Sequence, residues 1–414
     1  MSAAGSRARA SKLGVGLRRA ALLLVVGSLV CGCVGRVAPP PAAVAVRADV
    51  WPGVVRYRVA RDTAPLTEAG RQALRNELAW RESSGQTGPL PPAAFLAISG
   101  GGDDGAFTAG LLNGWTAHGD RPEFKAVTGV STGALIAPFA FLGPRYDGVL
   151  KAIYTNVSKK NIFRPRSLFG ILFNDALSDT TPLRQLTEMY VDQSLLDQIA
   201  AEYAKGRVLL VGTTDLDTLE PVLWNLTAIA SSKDPRALKL FRTILVASAA
   251  IPGAFPPVMI DVDVDGKHYQ EMHVDGGAMT QVFLYPPSVN IAEQGAAMGV
   301  ERSRVAYIIR NARLDPDWAN VKRRTLPIAG RAINSLMQTQ GIGDLYRIFV
   351  TTQRDHVDFN LAYIPASFTE PHPEPFAPRY MRALYQKGYD LAANGYPWSK
   401  SPPGYDAPVL TAAQ

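Results

Sequence analysis

The stretch FKAVTGVSTGALIAPFAFLG (residues 124–143) leaves the backbone few options. A short apolar run enters Gly-Val-Ser-Thr-Gly and passes straight into an apolar run of helical length. A strand that is apolar throughout, without alternation, is buried on both faces, as happens in a parallel sheet covered by helices. AAFLAI (93–98), RVLLVGTTDL (207–216) and RVAYIIRN (304–311) read the same way, with helical stretches between them. Parallel neighbours need a long crossover, normally a helix. The pattern predicts an α/β fold with a mostly parallel central sheet. At 414 residues, 47% hydrophobic and 19% charged, the chain has material for one large domain or two modest ones. It carries no internal repeat.

The formal charge of +7 is concentrated at the amino terminus. Residues 1–32 hold Arg7, Arg9, Lys12, Arg18 and Arg19 and no acid, so removing them leaves +2. A near-neutral remainder gives no electrostatic case for nucleic acid. The basic start precedes AALLLVVGSLVCGC, whose apolar run falls short of the ~20 residues that span a bilayer. This is the pattern of an export signal. Val30-Cys31-Gly32-Cys33 resembles a bacterial lipobox, with Val30 and Cys31 departing from its usual residues. Residues 1–32 are therefore expected to be a signal peptide and Cys33 a lipid acceptor, anchoring the protein in the cell envelope, at the outer membrane. A plain secretory signal is the alternative. Cys31 leaves with the signal in both cases, so no intramolecular disulfide is expected.

Residues 33–92 read as a Pro- and Ala-rich tether followed by an amphipathic helix over 66–82. The catalytic domain is expected over 93–398 and a tail over 399–414. In VMIDVDVDGKHYQEMHVDGG (258–277), Asp261, Asp263, Asp265 and Gly266 imitate a calcium loop, but its twelfth position is Met272. Alternation on both sides of Asp265-Gly266 predicts a β-hairpin with a tight turn and no metal.

Gly129-Val130-Ser131-Thr132-Gly133 is a G-x-S-x-G. The pentapeptide alone is weak, but a strand entering it and a helix leaving it describe a nucleophile elbow. Ser131 would stand at a helix amino terminus, where developing negative charge is favoured. A serine needs a base. Of the histidines, His356 in QRDHVDF is the best candidate for an ordinary triad; His118, His268, His273 and His372 occupy unconvincing settings. Asp275, ending a strand in HVDGGAM, is the other candidate. SGGGDDGAFTAGLL (99–112) also matches G-x-G-x-x-G at Gly100, Gly102 and Gly105, a fingerprint of dinucleotide binding.

Together SGGGDDGAFTAGLL, GVSTGAL and VDGG, in this order and spacing, resemble the patatin-like phospholipases. ASAAIPGAFPPV (247–258) and RVLLVGTTDLDTLEPVLWNL add to the likeness, which covers residues 93–290 and extends to FAPRYMRALYQKGYDLAANG (376–395). The resemblance implies a three-layer α/β/α fold and a Ser–Asp dyad, with Ser131 as nucleophile and Asp275 as base. It assigns Gly100, Gly101, Gly102 and Gly105 to an oxyanion-hole loop, Gly129 and Gly133 to the elbow, and Gly276 and Gly277 to the Asp-Gly-Gly motif. It implies hydrolysis of lipid acyl esters without cofactor or metal, the partners being membrane lipids or other acyl esters. One departure is clear: the usual basic residue of the glycine loop is Asp104 here, preceded by Asp103. Pointing inward, the pair would oppose an oxyanion; pointing away, it could cap a helix.

Three rival functions remain at this level. One is an α/β-hydrolase esterase using Ser131 and His356. Another is a nucleotide-binding protein using the glycine loop, with Glu123 near the ribose. The third is a non-catalytic lipid-binding envelope lipoprotein. SKKNIFRPRSLFGILF (158–173) sets Lys159, Lys160, Arg164 and Arg166 among apolar residues. It fits either a membrane-docking surface or a helix covering the site with a solvated basic edge.

Overall fold

The computed structural model describes residues 36–52, 56–166, 175–316 and 318–405. Cys33, the signal segment and part of the 158–173 stretch lie outside them. The strands are β1 (Arg56–Arg58), β2 (Ala93–Ile98), β3 (Phe124–Val130), β4 (Arg164–Pro165), β5 (Ser178–Asp179), β6 (Val208–Asp215), β7 (Glu220–Asn225), β8 (Val258–Val264), β9 (Lys267–Asp275), β10 (Arg304–Arg310) and β11 (Val357–Tyr363). The longer helices include α1 (Thr63–Ser83), α2 (Gly105–His118), α3 (Thr132–Leu142), α4 (Asp147–Asn156), α5 (Ala237–Ser248), α6 (Thr325–Arg354) and α7 (Pro378–Ala393).

The four apolar runs form neighbouring strands in the order β6-β3-β2-β10, and β11 extends them; all five are parallel. Both faces are covered, as uniformly apolar strands require. Leu96 and Ile98 point into one core with α2, α3, α5 and α7, while Ala97, Ala306 and Ile308 point into another with Leu345, Ile348 and Phe349 of α6. The result is a three-layer α/β/α arrangement. Gly110 and Gly114 let α2 touch the backbone of α7 at Tyr385 and Tyr389, where a Cβ would clash.

An antiparallel half completes the sheet: β7 and β1 follow β6, and the β8–β9 hairpin joins it. The hairpin turns at Asp265-Gly266, both at positive φ (51° and 73°), as its tight turn demands. Asp265 pairs with Arg47, and Asp263 with His268.

The strand register brings the ends of β3 and β9 together. Strand β3 pairs with Val208–Gly212 of β6 and ends at Val130 opposite Gly212. Strand β9 runs the other way and pairs with the remaining residues, Asp275 lying opposite Thr213. Since β7 occupies the other edge of β6, β3 and β9 meet end to end along one edge. The residues at and just past their ends, Ser131 and Asp275-Gly276, are thereby brought together.

Residues 36–52 lie against the hairpin. Arg36 pairs with Asp217, the Gln270 N–H donates to the Ala38 carbonyl, and Asp49 bridges to Asp263. Among the described residues, no helix is long and apolar enough to cross a membrane.

Candidate active site

Ser131 sits between β3 and α3 at φ 56° and ψ −125°, a conformation that side-chain-bearing residues rarely adopt. The flanking glycines make room for it. A Cβ on Gly129 would lie 2.4 Å from the Gly133 carbonyl oxygen, and one on Gly133 would lie 2.3 Å from that of Ile98. This sharp strand-to-helix turn has the geometry of a nucleophile elbow. Its backbone is also pinned from outside: the Ser131 N–H donates to Ser248 Oγ (3.0 Å), whose hydroxyl donates to the Gly212 carbonyl (2.7 Å).

Asp275 is buried beside it. Its carboxylate accepts the Gly277 N–H (2.7 Å), and the neighbouring Ser131 side chain favours its ionised form. Burial pushes its pKa up to about 7, while those two groups pull the other way. A carboxylate in a dry site resists ionisation, so it holds a proton far more readily than an exposed aspartate.

The glycine loop closes the site from the β2 side. The Gly100 N–H donates to the Gln281 carbonyl (3.0 Å), so Gly100 is structural rather than a free donor. Gly101 and Gly102 have φ of 147° and 59°, and their amides make no backbone hydrogen bond among the described residues. A Cβ on Gly101 would strike the Asn311 carbonyl at 2.3 Å. Gly105 begins α2 against Thr132, where a Cβ would also clash.

Asp103 turns away from this centre, whereas Asp104 lines the polar cavity that also borders Gly100 and Gly101. The Asp103 carboxylate accepts His372 Nε2 (2.7 Å) and the Phe376 N–H (2.6 Å), and Asp104 accepts the Tyr380 hydroxyl (2.5 Å). Asp103 in turn raises the pKa of His372, which stacks on Tyr380. Neither acid caps a helix through its side chain. The pair instead ties the glycine loop to α7 and to the proline-rich segment before it.

Two cavities flank the loop. On one side Gly102 and Ser131 open onto an apolar pocket of about 80 Å³ lined by Leu135, Ile153, Ile162, Leu183, Phe255 and Phe376. On the other, Gly100, Gly101 and Gln281 border a polar cavity of about 900 Å³ reaching Arg310, Arg331 and Gln338. Arg310 is buried, with its Nε unpartnered and Gln338 Oε1 accepting from its Nη2 (2.7 Å). Burial lowers its pKa to about 10.

Gln281 is a site residue that sequence reasoning misses. Its carbonyl holds Gly100, its Nε2 donates to the Gly277 carbonyl (2.6 Å), and its N–H donates to buried Asp344 of α6 (2.7 Å). It joins the glycine loop to the Asp-Gly-Gly turn. Ser248 is missed as well, although it lies in the ASAAIPGAFPPV stretch. Neither residue has a local pattern that announces it. Ser248 acts on a backbone group 117 positions away, and Gly100 is farther still from Gln281.

The rival constellations separate in space. His356 is exposed just before β11, whose first residue aligns with Arg304 at the start of β10. Ser131 lies past the opposite ends of the parallel strands, about 20 Å away along the strand direction. The Ser131–His356 triad is therefore not formed. Glu123 also sits at the far end, exposed, near Arg207. That is the wrong edge for a ribose contact beside the glycine loop. None of the hydrogen bonds of His118, His268, His273 or His372 reaches Ser131 or Asp275.

Among the described residues, Asp215, Glu271 and His273 cluster closely enough to hold a metal ion. Their donor atoms are already engaged. Arg58 spans Asp215 and Glu271, Arg56 pairs with Glu271, and the His273 ring contacts Thr213 and Glu271. Two arginines in that shell fit poorly with a divalent cation.

In 158–166, Ile162 and Phe163 face inward. Ile162 lines the apolar pocket and Phe163 packs on Phe255 and Phe376, while Lys159 reaches Glu374 at the surface. This part of the stretch covers the site and keeps its cations outside.

Residues 96–285 match the family model of patatin-like phospholipases. No curated protein matches the chain. Among solved structures it is similar to VipD from Legionella pneumophila, at 13% identity and a TM-score of 0.31, covering 74% of this chain and 66% of that one. It is similar to human GIVD cytosolic phospholipase A2 at 9% identity and a TM-score of 0.31, covering 77% and 55%. The type III effector ExoU matches at 14% identity and a TM-score of 0.19, covering 74% and 53%. The chain thus spans between about half and two thirds of the length of these proteins. Residues 96–285, with Ser131 and Asp275 inside them, form a domain of the patatin-like phospholipase family.

Proposed function

We propose that the protein hydrolyses lipid acyl esters through an acyl-serine intermediate, with Ser131 as nucleophile and Asp275 as base. The observation that carries this reading is the placement of Ser131, at the mouth of an apolar pocket, beside the buried Asp275 carboxylate by the ends of β3 and β9. Asp275 takes the hydroxyl proton as Ser131 Oγ bonds to the ester carbon. The Gly101 and Gly102 amides hold the resulting oxyanion. Collapse breaks the bond to the alcohol, which leaves with the proton from Asp275. Water then attacks the acyl-serine, giving its proton to Asp275. The acid is released as that proton returns to Ser131 Oγ. The apolar pocket suits the acyl chain and the polar cavity the alcohol half.

Ser131→Ala and Asp275→Asn are each expected to lower hydrolysis of a short acyl ester by at least about a thousandfold. A fluorophosphonate probe should label the wild type and not Ser131→Ala. Full activity in Ser131→Ala overturns the reading, and an unlabelled, inactive wild type points to a lipid-binding role without catalysis.

The exported, lipidated state is part of the same proposal. It is supported by the basic-apolar start and the small residue before Cys33. Labelling by a radioactive fatty acid in cells should be lost in Cys33→Ala; persistence of the label excludes that acceptor.

A further inference from the structure

The first half of α6 and the loop before it present an amphipathic surface to solvent. The second half of α6 packs Leu345, Ile348 and Phe349 into the core. Before it, Trp318, Val321, Ile328, Ile333 and Leu336 are exposed, Trp318 by 86% and Leu336 by 71%. They are five of the fourteen large hydrophobic residues exposed among the described residues, all within nineteen positions, so this is a patch and not scatter. On a helical wheel Ile328, Ala329, Ala332, Ile333 and Leu336 share an arc of roughly 140°, wide enough for a buried stripe. Lys322, Arg323 and Arg324 are exposed beside it, and Arg331 flanks the arc. No acid occurs from Trp318 to Gly343.

We propose that this arm docks the protein on an anionic membrane surface. Its composition matches an interfacial helix: apolar side chains enter the boundary between headgroups and acyl chains, and cations meet anionic headgroups. The charge pattern selects this occupant over a second copy of the chain, whose identical basic arm would repel it. The location gives the docking a use. Arg331, Asn334 and Gln338 of the arm border the polar cavity that reaches Gly100 and Gly101. A bilayer lying on the arm would face that cavity. The proposal does not rest on the hydrolytic reading, since docking is measured without turnover.

The test is sedimentation of the full chain carrying Cys33→Ala with vesicles of phosphatidylcholine, with and without phosphatidylglycerol. The mixed vesicles should bind the protein, less so at high salt, and pure phosphatidylcholine should bind it weakly. K322E/R323E/R324E should weaken binding to the mixed vesicles by at least about a hundredfold, at roughly a factor of five per cation lost. I328N/I333N/L336Q should lose binding while melting like the wild type, because the replaced side chains are exposed. Ser131→Ala should bind as the wild type does, whatever its activity. Binding unchanged in both triple variants overturns the proposal, as does absence of binding by the wild type. A dimer in solution that I328N/I333N/L336Q dissociates also overturns it, by assigning the face to a second copy.

Discussion

Asp275 is held next to Ser131 by the ends of two strands, and dryness sets its chemistry. Ser131 and Gly277 favour the carboxylate, but burial outweighs them and leaves its pKa at about 7. In the proposed mechanism Asp275 must be ionised to accept the proton, so hydrolysis of a neutral ester should rise with pH through about 7 and then level off. The same shift bears on stability with the opposite sense. The folded protein binds this proton more tightly than the unfolded chain, whose aspartate titrates near 3.8. Its contribution is complete below that value and is lost as pH rises from there to about 7. Asp275→Asn should therefore be inactive yet more stable at pH 8, by up to about 4 kcal/mol. The gain should shrink as pH falls toward 4. Thermal melts of both proteins across that range check it; a variant less stable at pH 8 would mean that burial does not govern this carboxyl. Ser131 and Asp275 stand out in the sequence as candidates because each lies in a short motif. The direction in which Asp103 and Asp104 point is not legible there, since their partners, His372, Phe376 and Tyr380, lie some 270 residues away.

At the scale of elements, the parallel strands are readable because burial on both faces removes polar residues from them. The predicted helix over 66–82 and the hairpin likewise carry their own periodicity and turn residues. Strands β1 and β7 carry less of a signal. RYR and EPVLWN are short and polar in part, and they become strands only because β6 offers them an edge. The joining of the loops is also hidden. Gln281 couples the glycine loop to the Asp-Gly-Gly turn, holding one through its carbonyl and the other through its side chain, while Asp344 fixes its own N–H. Gln281→Ala removes the side-chain bond to the Gly277 carbonyl and opens space beside Gly100. The two loops should then drift relative to each other, and displacement near 1 Å costs about a hundredfold in rate. We expect kcat on a short ester to fall by between about tenfold and a hundredfold with KM little changed. Gln281→Glu, which keeps the shape but not the donor, should not restore it. A rise in KM alone would show that Gln281 binds substrate and does not position the loops.

For the whole molecule, the question is what keeps the antiparallel half registered against the parallel half, given that Asp275 belongs to one and Ser131 to the other. Buried charge does much of it. Arg56 and Arg58 on β1 reach across β7 and β6 to Asp215 and Glu271, with His273 in contact with Glu271. These side chains are nearly or fully buried, and Glu271 is only 1% exposed. Burial raises the pKa of Glu271, but His273 and Arg56 overcome it and bring it down to about 2. Stability from this carboxylate is thus present above its unfolded value near 4.5 and is lost as pH falls toward 2. Replacing a buried ion pair with matched apolar groups can be neutral, whereas removing one member leaves an uncompensated charge. Glu271→Gln takes from buried Arg56 its carboxylate partner, while Arg58 keeps Asp215 and Glu220, and should destabilise the fold by about 3 kcal/mol at pH 7. It should also flatten the acid limb of the stability curve between pH 4.5 and 2. Because Glu271 lies four residues before Asp275 on β9, the loosened strand should shift the base away from Ser131. Ester hydrolysis should then fall well below the melting temperature, in parallel with faster amide exchange in β9 and β1. If activity and exchange in those strands stay at wild-type levels while only the melting point drops, the network supports stability without setting the register of the site.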